Sequence, residues 1–190
     1  MFEHVALLLS FVFALALTHL LSSTTEIILG RDRLRFSGLH AAWMVAAYLS
    51  LLVNWLSYWG LVALKHWTVG EVELWFAAAT IQYFTCSLIS IRPDPDGVID
   101  MPAFFARQRP AIFTAFFALM AVSMIQNYAD RNHTSGLGPS DWISENLLVL
   151  PMAVSVVIAG WTRTLWLQWV AVLVILGLIV FFLSTFALPA

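Results

Sequence analysis

The chain has 190 residues, 61% of them hydrophobic and 11% charged, with a net charge of −2. Soluble domains run at about 45–50% apolar and about 25% charged, so lipid rather than water is the natural solvent for this sequence. The absence of a basic run excludes nucleic acid as a partner, and the single cysteine, Cys86, excludes an internal disulfide framework and a cysteine-built zinc site.

A helix needs about 20 apolar residues to cross a bilayer. The first such run covers about residues 4–29. It opens MFEHVALLLS, without the positive n-region of a signal peptide, and is expected to persist as a membrane span. Within it, His19, Ser22, Ser23 and Glu26 fall in one arc of about 100°, because successive helix residues turn by about 100°. Val12, Leu15 and Ala16 extend that face as apolar surface, so the stripe predicts a pocket rather than a complete pore.

The second span, 38–64, aligns His40, Ala47, Leu51, Asn54 and Tyr58 on one face. The loop before it is short, so the first two spans are antiparallel neighbours and Glu26 and His40 are expected at similar depth, within pairing distance. A carboxylate beside an imidazole is a proton-sensitive pair. The third span, 72–91, carries Ala78, Ala79, Gln82, Thr85 and Cys86. Small residues let helices approach closely, and polar ones bond across the contact. These three faces are expected to meet inside the bundle.

The following loop reads IRPDPDGVIDMPAFFARQRP. Pro93 and Pro95 keep its start extended, and Asp100 is placed to cap a short helix with Pro102 at its first position. Phe104 and Phe105 are expected to dip into the interface while Arg107 and Arg109 meet lipid phosphates. The run DPDGVID lacks the glycine and glutamate positions of an EF-hand loop. A fourth span covers 110–128, followed by the polar loop ADRNHTSGLGPSD. The fifth covers 142–161, with Ser140 or Asp141 as its cap and Pro151 as a kink. The sixth, 164–187, is apolar all round beyond Gln168 and is expected to face lipid.

The predicted fold is therefore all-α: a six-span membrane bundle forming one domain over 1–190. Seven of the nine basic residues (Arg31, Arg33, Arg35, Arg92, Arg107, Arg109 and Arg163) fall in the 30–37, 92–109 and 162–164 loops. The positive-inside rule puts those loops in the cytoplasm and both termini outside. Trp59, Trp67, Trp75 and Trp142 are expected near the outer interface, and Trp43, Trp161 and Trp166 near the inner one.

No metal, cofactor or catalytic residue is expected. His19 and Glu26 are about 10 Å apart along the helix axis, too far for one ion, and His19 and His40 differ in depth by about as much, which disfavours a bis-histidine haem. No P-loop, dinucleotide fingerprint, nucleophile elbow or zincin motif occurs. Two functional classes fit the pattern. One is a channel or transporter for an ion, a proton or a small polar solute. It would use a cytoplasm-facing pocket of His19, Ser22, Ser23, Glu26, His40, Asn54 and Gln82, and conduct as a homo-oligomer. The other is a membrane-embedded sensor or accessory subunit that binds a lipophilic ligand or a partner protein between helices. Membrane lipids are partners in either case.

The stretch ALTHLL…RDRLRFSGLHAAW, continuing into GVID before FFARQR, resembles a family of small, uncharacterised bacterial membrane proteins. The resemblance covers mainly the first three spans and the second inner loop. It implies a bacterial inner membrane and a single domain, and it carries over no activity and no site residue.

Overall fold

The computed structural model describes residues 2–58, 68–92, 98–134, 142–144 and 146–185. The readings of Pro93 and Pro95, of Trp59 and Trp67, and of Ser140 and Asp141 lie outside these residues. The chain forms helices α1 (Phe2–Leu29), α2 (Gly38–Ser57), α3 (Val69–Ile89), α4 (Met101–Thr134), α5 (Val149–Trp161) and α6 (Leu165–Thr185), with two-residue strands β1 (Leu34–Arg35) and β2 (Ile99–Asp100). All of these helices except α5 are long and apolar enough to cross a membrane, which makes the chain a multi-pass membrane protein by length and composition.

Local sequence sets the helix starts. Ser37 caps α2 by accepting from the His40 amide. Thr68 and Glu71 form a reciprocal capping box that opens α3. Asp100 Oδ1 accepts from the Ala103 amide at the start of α4 (2.9 Å), as expected of it. The helix it begins is not short. It runs 34 residues to Thr134 through Pro110, so the fourth span starts well before residue 110. A single stripe (Met101, Phe105, Ile112, Phe116 and Leu119) is buried on both sides of Pro110. That continuous packing holds the helix together where one backbone hydrogen bond is missing.

The helices close into a ring in the order α1, α3, α4, α5, α6, α2, with α2 also touching α3 and α4. α1 docks through Leu9, Phe13, Ala16, Leu20 and Ser23, at alternating spacings of four and three. Ala46, Ala47, Ala78 and Ala79 are buried, and the Ala47 carbonyl accepts from Gln82 where α2 meets α3, a close approach that small residues allow. α6 does not face only lipid. Gln168, Ala171, Val172, Ile175 and Ile179 form a buried seam on it. Trp43 is fully buried, edge-on to Phe113 (4.8 Å) and Phe116 (5.3 Å).

The expected fifth span is broken. α5 has 13 residues, about 20 Å of helix against a hydrocarbon core of about 30 Å. A helical turn at 142–144 and a turn at 146–148 precede it. Pro151 is the third residue of α5, in the first turn, where its missing N–H breaks no helical bond. It therefore marks a helix start and not a mid-span kink.

The arginine-bearing connections share one end of the bundle. β1 and β2 pair in parallel, Leu34 with Ile99 and Arg35 with Asp100, joining the first two. Arg35 Nη1 and Asp100 Oδ2 are 2.6 Å apart. Gly30 makes room for this union: a Cβ there would lie 2.6 Å from Ile99 Cδ1. Arg109 Nη2 donates to the Ala159 carbonyl (2.6 Å) near the end of α5, which brings the third connection to the same end.

Candidate functional site

The side chains singled out in the sequence separate into several structural contacts. His19 Nε2 shares a hydrogen bond with the Tyr83 hydroxyl (3.1 Å), and the two rings meet edge-on. Ser23 is buried and its hydroxyl accepts from the Ile91 amide (2.9 Å), just past α3. Both join α1 to the third helix region. Ser22 on the same helix is exposed, and Glu26 is half-buried. His40 does not pair with Glu26. Its Nε2 donates to the Ile89 carbonyl (2.8 Å), and its ring stacks with those of Phe104 and Phe105 at centroid distances of 5.5 and 5.4 Å. Those two phenylalanines thus pack on His40. Asn54 and Gln82 do meet: Asn54 Nδ2 donates to Gln82 Oε1 (2.7 Å). Gln82, fully buried, also donates weakly to the Ala47 carbonyl, Ser50 Oγ and Cys86 Sγ at 3.3–3.4 Å. Among the described residues no three His, Cys, Asp or Glu side chains are grouped so as to hold a metal ion.

A cavity of about 300 Å³ lies in the half of the bundle away from the arginines. Its polar lining comes from α2 (Ser50, Asn54 and Ser57) and α4 (Ser123, Gln126 and Asn127). Phe116, Met152, Ile175 and Ile179 make much of its apolar wall, and Trp75 of α3 reaches it too. Among the described residues none of the lining side chains is charged. Gln126 is only 4% exposed, and its Nε2 is buried with no hydrogen-bond partner among the described residues. A buried amide N–H without an acceptor costs about 1–3 kcal/mol, so one in a native fold calls for an explanation. Asn127, next to it, donates to Asn146 Oδ1 (3.1 Å), which ties α4 to the turn before α5.

Of the described candidate site residues named from the sequence, Asn54 alone lines this cavity, with Gln82 bonded to it. Ser50, Ser57, Ser123, Gln126 and Asn127 were missed. Their signal was present: Ser50, Asn54 and Ser57 recur at four and three, and Ser123, Gln126 and Asn127 at three and one, which places each set on one helix face. Beyond Val156, which lines both spaces, a wider groove of about 1090 Å³ opens at the arginine-bearing end. No family model, curated protein or solved structure matches the chain.

Proposed function

We propose that this protein binds a small, uncharged, amphipathic molecule in the cavity between α2, α4, α5 and α6, as a membrane-embedded sensor or carrier. The unpartnered, buried Gln126 Nε2 carries the reading. It requires a hydrogen-bond acceptor from the ligand, such as a carbonyl, while the Phe116, Met152, Ile175 and Ile179 wall takes an apolar body. The described lining is uncharged, which disfavours an ion, since an ion would lose its hydration there without a compensating charge. In the same reading the arginine-bearing end faces the cytoplasm of a bacterial inner membrane. Residues 142–161 then make the broken fifth of six crossings, with both termini outside.

An uncharged naphthyl ketone fluorophore and its quaternary-ammonium derivative test this. The ketone should bind saturably and take energy from Trp75, Ser123→Trp should block it by filling the cavity, and the cation should not compete. Equal fluorescence from wild type and Ser123→Trp would show partition into lipid alone and defeat the proposal.

A second reading, transport, is favoured by the wall the two spaces share at Val156. A rearrangement there would connect the two ends of the bundle. Flux in proteoliposomes of an uncharged solute, but not of protons or ions, would support it. Proton flux abolished by Glu26→Gln would instead restore a path along α1.

A further inference from the structure

We infer that the groove between α4, α5 and α6 at the arginine-bearing end holds an anionic phospholipid, its phosphate between Arg109 and Arg163 and an acyl chain against Phe117 and Val157. Both arginines line the groove. Among the described residues neither has a carboxylate partner, since the ion pairs there are Arg31 with Asp32 and Arg35 with Asp100. Arg109 is fixed by its bond to the Ala159 carbonyl, and its Nε is buried without a partner. Two cations lining one largely apolar groove, without carboxylate partners among the described residues, call for an anion, and guanidinium geometry suits phosphate oxygens.

The walls decide which phosphate. Phe117 is 48% and Val157 41% exposed, so in a membrane the groove is open to acyl chains. Trp161 and Trp166, both largely exposed, stand at the same end, where indoles sit at headgroup level. Free phosphate would leave the apolar wall unused. The positive-inside orientation places the groove in a leaflet rich in anionic lipid, where basic pockets between helices take such headgroups.

The test is native mass spectrometry of the full chain released from nanodiscs made of equal parts phosphatidylglycerol and phosphatidylcholine. Phosphatidylglycerol should be retained selectively. Arg163→Gln, which alters an exposed side chain, should cut that retention about tenfold, the loss of one charge-assisted contact. Arg33→Gln, at the same end but outside the groove, should leave it unchanged. Equal retention of the two lipids, full retention in Arg163→Gln, or displacement of the lipid by millimolar inorganic phosphate would each overturn the assignment.

Discussion

Replacing Gln82 with leucine tests how α2 and α3 are joined. The substitution keeps a side chain of similar size in a fully buried position and removes the acceptor for Asn54 Nδ2 at 2.7 Å. It also removes three longer contacts, at 3.3–3.4 Å. Hydrogen bonds between membrane helices contribute about 0.6 kcal/mol on average and up to about 1.7 kcal/mol. The short Asn54 bond belongs near the upper part of that range and the three long ones near the bottom. Asn54 is half-buried beside the cavity, so once freed it can reach water and avoids the full penalty of an orphaned donor. Gln82→Leu should therefore cost about 1–2 kcal/mol. Asn54→Ala should cost about 1 kcal/mol. The double variant should fall short of the sum by about 0.6–1.7 kcal/mol. Reversible unfolding by dodecyl sulfate in mixed micelles measures all three. Additivity to within about 0.3 kcal/mol would refute the pairing as the link between these helices.

His40→Ala should destabilise by about 2–4 kcal/mol, because it leaves the Ile89 carbonyl unpaired and a void beside Phe104 and Phe105. Glu26→Gln should stay within about 0.5 kcal/mol of wild type by the same unfolding assay. Asp100→Ala should cost about 1 kcal/mol more than Arg35→Ala, since both lose an exposed ion pair but only the first loses the cap on Ala103; thermal unfolding in detergent would resolve the difference. An impermeant maleimide added outside intact cells should label Gly70→Cys, where the structure leaves open space, and not Asp32→Cys. Label at Asp32→Cys alone would reverse the orientation.

Helices were legible where a single chain segment decides them. The apolar runs of α1, α2, α3 and α6 and the shared end of the arginine loops follow from hydropathy and charge alone. α4 was misread at its start because Pro110, Arg107 and Arg109 resemble a span boundary. The stripe from Met101 to Leu119 runs through them and becomes decisive only when its partners, among them His40 and Trp43, are in place. The polar stripe of α1 was visible but its use was not. Helical periodicity gives the face of His19 and Ser23, not that Tyr83 and the Ile91 amide stand opposite. The cavity was hidden for a related reason. Its polar side chains come from α2 and α4, which are distant in sequence, and the periodicity of each helix alone does not show that the two faces meet.

The most direct measurement is the thermal stability of Gln126→Leu beside its affinity for the uncharged naphthyl ketone. If Gln126 serves a ligand, removing its unpartnered amide should stabilise the empty protein by about 1–3 kcal/mol. It should also weaken ketone binding about 3–10-fold, the loss of one neutral hydrogen bond. A Gln126→Leu protein that is less stable than wild type, or that binds the ketone as tightly, would contradict the assignment of this cavity as the binding site.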